Sequence, residues 1–425
     1  MEVGSKRSPK ASGKIIDSKV LFAAMAGNAL EFYDFTLYGF FVAILAPLYF
    51  PSSDPTVSLI SGFGVFALGF LMRPLGALLF GHIGDKYGRK RALSLSIFGI
   101  ALPTAAIGLL PTYDQIGIFA PLFLIFLRLI QGLCTGGEYN GAGVFVVEHG
   151  KEGYRGFLGS LLTSSGCLGA LLACIVGSIF VNSTLPQWCW RIPFLFGLII
   201  GFIGYYLRKK VDETLATNNT QEAKLPIIEV FRHHPLPLLI CIFIGSAATI
   251  PLYIITTFMN SRLAALGIIT YQQMMLMTAF VLAIGTVTMP IMGWIADKVG
   301  YKKLMSFSCI SLFILAYPFF VIYSMQNLYL IVLFQILMLS LNEAFVGPSN
   351  AYMSSLFPQN FRYSGVAFGY CLGLSLFGGT ALYVAEWLIK ATSYQTSPSL
   401  CIMWGAFMGA IALFLSKYAK KDKYV

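Results

Sequence analysis

The chain is poor in charge. Asp, Glu, Lys and Arg make up 11% of its 425 residues, against about a quarter in an average soluble domain, so it cannot cover a water-facing surface of its own size. Histidine is scarcer still. His82, His149, His233 and His234 fall in loops or at predicted helix ends, and no metal-ligand pair shares a buried helix face. The eight cysteines include no CxxC pair, so they read as small hydrophobes inside apolar spans rather than as disulfide or metal partners. No Gly-rich phosphate loop follows a strand, and no catalytic cluster is visible, which argues against an enzyme. The first 19 residues lack an apolar core with a cleavage site and carry Lys6, Arg7, Lys10, Lys14 and Lys19; they read as a cytoplasmic basic tail.

What the chain has is apolar sequence, 57% by count. Runs of about 20 residues, the length that crosses a ~30 Å hydrocarbon core, recur at 20–48, 58–80, 92–110, 116–141, 156–181, 189–207, 236–259, 272–296, 304–324, 326–350, 362–389 and 398–416. The predicted fold is an all-α membrane protein of twelve transmembrane helices. A net charge of +11 would suit nucleic acid, but the basic residues are sorted: 24 of the 29 Lys and Arg fall on one side when connections are taken alternately. By the positive-inside rule that side is cytoplasmic and holds both termini, so the excess is a topology signal and no nucleic-acid partner is expected.

The loop "GHIGDKYGRKRAL" at 81–93 recurs in looser form as "GWIADKVGYKKLM" at 293–305. A second echo pairs "EYNGAGVFVVEHGKEGYRG" (138–156) with "EAFVGPSNAYMSSLFPQNFRYSG" (343–365). Both repeats are explained by a duplicated six-helix unit whose halves are parallel repeats about an axis along the membrane normal. The predicted organisation is a tail at 1–19, a six-helix half at 20–207, a polar linker at 208–235, a second half at 236–416 and a tail at 417–425. Asp85 is placed to accept hydrogen bonds from the start of a neighbouring helix. With Arg89, Arg91, Glu148, Arg155, Asp297 and Arg362 it forms the candidate cytoplasmic gate, whose charge pairs break when the halves rock. The second loop has Tyr301 where the first has Arg89.

Intramembrane charges are costly, roughly 2.5–3.5 kcal/mol each on insertion scales, so they mark cavities or partners. On the fourth span Arg128, Gln131, Thr135 and Glu138 lie within about 80° of helical arc and form one polar stripe, expected to line a transport path. Asn28, Glu31, Phe35 and Tyr38 share a face of the first span, with Asp34 close by. The expected arrangement puts Arg128 on a substrate carboxylate, with Gln131, Tyr33, Asn342 and Tyr370 as further substrate contacts, and gives the proton to a carboxylate among Asp34, Glu31 and Glu138. Structural readings stand beside these: a fixed salt bridge for Glu31, packing for Glu138, and helix pinning for Arg73. An aromatic cage from Phe32, Tyr33 or Trp404 is a further arrangement for a quaternary ammonium.

The loop, together with "GNALEFYDFTLYGFF", "FLMRPLGALLFGHIGDKYGRKR", "RLIQGLCTGGEYNGAGVFVVEH", "WRIPF" and "LFPQNFRYSGVAFGYCLG", resembles the metabolite:proton symporter family of the major facilitator superfamily across essentially the whole chain. The resemblance implies the major facilitator fold with two pseudo-symmetric six-helix halves, a bacterial inner membrane and import by alternating access. The implied partners are a small-molecule substrate, protons and the bilayer, with no cofactor beyond the proton gradient and a monomeric chain. The run "PTYDQIGIFAPLFLIFLRLIQG" is most like the proline and betaine carriers, which makes a zwitterionic osmolyte or other small carboxylate the first expectation. Di- and tricarboxylates such as 2-oxoglutarate or citrate, and proton-independent exchange, stay open. The fifth span lacks a Gly-Pro pair often found in antiporters of this superfamily, which favours symport. Because the chain ends after "SKYAKKDKYV", without the long coiled coil that osmosensing relatives can carry, osmosensing by such a tail is not expected.

Overall fold

The computed structural model describes residues 18–87, 89–136, 143–144, 146–148, 150–181, 185–209 and 226–419. Among them run twelve principal helical segments, one overlapping each apolar span. The first six are α1 (Ser18–Tyr49), α2 (Pro55–Leu71, continued by Arg73–Tyr87), α3 (Arg89–Leu109), α4 (Phe119–Thr135), α5 (Arg155–Phe180) and α6 (Ile192–Lys209). The second six are α7 (Pro235–Tyr253, then Ile254–Phe258 and Met259–Ala265), α8 (Tyr271–Val299), α9 (Tyr301–Ser324), α10 (Leu328–Val346 and Ser349–Ser354), α11 (Gln359–Gly373, then Leu374–Gly378 and Ala381–Thr392) and α12 (Ser399–Leu415). Among the described residues eight helices are long and apolar enough to cross a membrane, and Leu95–Leu109, Phe119–Thr135 and Ser399–Leu415 are shorter apolar helices.

Local chemistry sets several boundaries. Asp54 caps α2 by accepting from the Thr56 N–H at 2.9 Å, with Pro55 at the first helical position. Thr270 and Gln273 close a reciprocal capping box at the start of α8. Gly300, at φ 101°, is the single residue between α8 and α9; a side chain there would be strained, so glycine permits the reversal.

The two halves meet along α5 and α8 and along α2 and α11. At the first crossing Gly156 and Gly293 face each other: a Cβ on Gly293 would lie 2.1 Å from Ser160 Oγ and 2.5 Å from the Gly156 carbonyl. Small residues let the backbones approach where no hydrophobic force drives helices together in lipid, and Ser164 donates across the seam to the Thr286 carbonyl at 2.6 Å. Gly293→Ala is expected to cost about 1–3 kcal/mol of packing by overfilling this crossing. An unchanged thermal midpoint of the purified variant would contradict that reading.

Four of the spans read as continuous helices differ from the structure. α2 is interrupted at Met72 and α10 before Ser349, while α7 and α11 each contain one π-helical turn, at Ile254–Phe258 and Leu374–Gly378. A π turn adds one residue without altering hydropathy, so apolar periodicity carries no sign of it.

Candidate functional site

A cavity lies between the halves. Its N-terminal wall comes from α1 (Phe32, Thr36, Gly39, Phe40), α2 (Phe66, Arg73) and α5 (Thr163, Gly166, Cys167, Ala170). Its C-terminal wall comes from α7, α8, α10 and α11, including Tyr253, Thr256, Asn342, Glu343 and Tyr370. The lining is mostly apolar, with one cation from one half and one carboxylate from the other.

The cation is Arg73. Its guanidinium carbon lies 3.9 Å from the Phe35 ring centroid and 4.4 Å from that of Phe70, while Nε makes no hydrogen bond among the described residues. Aromatic faces stabilise a desolvated guanidinium by about 0.5–2 kcal/mol each and leave its N–H groups available.

Of the four residues in the α4 stripe, Arg128, Gln131 and Thr135 are absent from the wall of this cavity, and Glu138 lies outside the described residues. Arg128 is wholly buried behind Tyr38, Phe35 and Phe66, with ring centroids at 4.4, 4.8 and 5.7 Å. It donates to Gln131 Oε1 at 2.8 Å, and Gln131 Nε2 donates to Thr104 Oγ1 at 2.6 Å, so the stripe faces α1–α3 inside the N-terminal half. Helical arc defines a polar face; it does not say whether that face meets a cavity or a neighbouring helix. Arg73 was legible only as an intramembrane charge.

Asn342 and Tyr370 line the cavity, and Glu343 lines it beside them. Asn342 donates Nδ2 to the Ala248 carbonyl at 3.2 Å. Thr288 donates to Glu343 Oε2, and Glu343 Oε1 stands beside Gly285, where a Cβ would come within 2.5 Å. Glycine at 285 thus makes room for the carboxylate.

Glu31 and Asp34 are buried on α1 and absent from the lining. Asp34 Oδ1 makes no hydrogen bond among the described residues and lies at the α6 contact, where a Cβ on Gly197 would be 2.7 Å from it and 2.8 Å from Thr104 Cγ2. Tyr33 is turned away from the cavity, donating to the Pro193 carbonyl at 3.1 Å. Trp404 is 47% exposed and Phe32 lines the cavity, so the structure does not assemble the cage of Phe32, Tyr33 and Trp404. A deep ion pair, Arg262 with Glu386, ties the far end of α7 to that of α11, and Gln395 accepts from the same guanidinium at 3.3 Å.

Several connections among the described residues join the halves toward the end that carries the charged loops. Arg362 on α11 pairs with Glu148 at 2.9 Å. Asp297, in the last turns of α8, accepts from the Gly156 and Phe157 N–H groups at 2.8 Å each, capping α5 of the opposite half. Tyr301 donates to the same carboxylate at 2.8 Å; it fills the place of Arg89 in the other loop and orients the acid instead. Sequence reading did not give Tyr301 that part. Arg155 pairs locally with Glu152 at 3.9 Å. Asp85, Arg89 and Arg91 sit on described helical backbone, but their side chains, like all of Glu138, are outside what the structure describes. At the opposite end Tyr271 donates to the Ala43 carbonyl at 3.3 Å, Phe63 meets Phe258 at 6.0 Å between ring centroids, and Lys390 stands 4.0 Å from Asp54. The halves therefore touch on both sides of the cavity. All eight cysteines are free, and only Cys167, on the cavity wall, is not fully buried.

Comparison with known proteins gives the family and the fold. Residues 24–368 match the Major Facilitator Superfamily. The glycine betaine/proline/ectoine/pipecolic acid transporter OusA of Dickeya dadantii is 33% identical over 95% of this chain and 84% of its own. The proline/betaine transporter of Escherichia coli is 32% identical over 92% and 82%, and the shikimate transporter of the same species 29% identical over 95% of each. In fold, a partially occluded, inward-open structure of the E. coli xylose transporter XylE superimposes with a TM-score of 0.73 at 16% identity, covering 96% of this chain and 98% of that one.

Proposed function

The chain belongs to the Major Facilitator Superfamily, a multi-pass membrane transporter and not an enzyme, and from that premise we propose that it is a proton-coupled symporter importing a small carboxylate-bearing solute, a zwitterion of the proline and betaine class first. The observation that carries this reading is the cavity itself, set between contacts of the two halves and lined by Arg73 from one half and Glu343 from the other. Arg73 takes the substrate carboxylate; Asn342 and Tyr370 form the facing wall. A single cation in a largely apolar lining suits a monocarboxylate or zwitterion better than citrate, which brings up to three negative charges into a dry site.

Coupling needs a carboxyl that accepts a proton away from the substrate. Asp34, buried and without a described ion pair, fits that part; Glu31 and Glu138 complete the proposed set. Arg128, held by rings and by Gln131, supplies fixed positive charge inside the same half rather than a substrate contact. The halves are taken as 20–207 and 236–416, joined by 208–235, with the charged loops and both termini cytoplasmic in a bacterial inner membrane and the chain acting as a monomer. Glu148–Arg362 and the Asp297 cap close the cytoplasmic side, and Asp85, Arg89, Arg91 and Arg155 belong to the same gate.

The test is uptake into proteoliposomes of labelled proline, betaine, 2-oxoglutarate and citrate, each with and without an inward proton gradient. One solute should accumulate with the gradient. In Asp34→Asn that accumulation is expected to fall at least tenfold while exchange of the same solute across the membrane at equal concentrations persists. Uptake in the native chain that ignores the gradient would replace symport by exchange.

A further inference from the structure

Asn342 and Glu343 are neighbours on α10, both on the C-terminal wall of the cavity, and both leave an acceptor unused. Asn342 is 1% exposed; its Nδ2 is committed to the Ala248 carbonyl, and Oδ1 has no hydrogen-bond partner among the described residues. Glu343 is wholly buried; Thr288 holds Oε2, and Oε1 likewise has no partner. No described Lys or Arg forms an ion pair with Glu343, whereas the equally buried Glu386 is paired with Arg262. Buried acceptors are nearly always satisfied, and leaving one empty is costly. Other buried acceptors, Asn28 Oδ1 and Gln335 Oε1 among them, are also unmatched among the described residues; Asn342 and Glu343 differ in standing on the cavity wall, where a bound solute can supply the donors.

We infer that Asn342 and Glu343 form a subsite for an ammonium group that still carries N–H, the primary or secondary amine of a small zwitterion whose carboxylate meets Arg73. Such an amine gives one N–H to a neutral acceptor and one to a charged acceptor. A quaternary ammonium offers neither; it meets the charge of Glu343 but leaves both acceptors unpaired. The remaining lining, with Phe32, Phe66, Tyr253 and Leu374, suits the methylenes of an aliphatic ring. A site built around donors rejects an analogue that lacks them far more strongly than an apolar pocket rejects an added methyl group. The subsite therefore ranks imino acids above their N-methylated relatives, a selectivity beyond the transport reading on which it rests.

Three probes of similar shape separate the possibilities: L-proline, N,N-dimethylproline, which keeps the positive charge without N–H, and cyclopentanecarboxylate, which has no ammonium. Each competes against uptake of labelled proline by the full-length native chain in proteoliposomes. Dimethylproline is expected to compete at least tenfold more weakly than proline. Asn342→Leu should narrow that gap at least threefold. Glu343→Gln should weaken competition by proline at least tenfold and leave competition by cyclopentanecarboxylate unchanged. Equal competition by the two ammonium compounds in the native chain overturns the inference without any variant having to fold, as does an unaltered gap in a well-inserted Asn342→Leu. If proline is not taken up while another carboxylate accumulates with the gradient, the amine subsite falls and the transport reading stands. If no solute moves, both fall.

Discussion

Arg73→Gln is expected to lower uptake efficiency about a hundredfold, with the loss falling on substrate affinity and turnover together. The guanidinium sits on Phe35 and Phe70 in the cavity wall with an unused Nε–H, and a charge-assisted bidentate contact to a carboxylate is the strong kind of hydrogen bond. Removing one member of a buried charge pair costs about 2–5 kcal/mol, and 2.7 kcal/mol is a factor of a hundred. Arg73→Lys is not a conservative rescue here, since an ammonium has neither the planar fork nor the stacking geometry that two rings select. Arg128→Gln is the informative companion. Arg128 lies behind Tyr38, Phe35 and Phe66, so its loss should disturb gradient coupling more than substrate competition. Substrate affinity intact in Arg73→Gln and destroyed in Arg128→Gln would reverse the assignment.

Asp297→Asn is expected to open the side that carries the charged loops. In the native chain the carboxylate accepts both N–H groups at the start of α5 and a hydroxyl from Tyr301. An amide has a single acceptor oxygen and no charge for the helix end to attract. Hydrogen bonds to charged groups contribute about 1.5–3 kcal/mol, so losing even one shifts a two-state balance about tenfold. Cys167, the one thiol that is not fully buried and a cavity residue, reports the change. A membrane-impermeant maleimide applied from the charged-loop side should label it about ten times faster in the variant, and added substrate should slow the labelling. An unchanged rate would mean that Asp297 caps α5 without closing anything.

The twelve spans were readable because each is a long apolar run, and the duplication because two charged loops and two acidic blocks recur. The cross-half pairing of Glu148 with Arg362 and the role of Asp297 were also within reach, since both sit in those repeats. What could not be read is which way a buried polar group turns. Arg128 and Arg73 are both lone charges in apolar helices, yet one faces α1–α3 within its half and the other the cavity, a difference set by where α2 and α4 cross their neighbours. Glu343 gave a weak signal for the same reason: its opposite wall, Thr288 and Gly285 on α8, is 55 or more residues away in sequence.

The π turns of α7 and α11 carry a consequence for how these helices tolerate change in length. Arg262 follows the turn at Ile254–Phe258, and Glu386 follows the turn at Leu374–Gly378. Each turn holds one surplus residue, and one residue is about 100° of helical rotation. The buried pair is therefore a phase lock. Deleting a single residue from either turn would swing one partner a quarter turn or more out of line, leaving a charge unmatched inside the protein, whereas the cavity-facing residues that precede each turn would keep their azimuth.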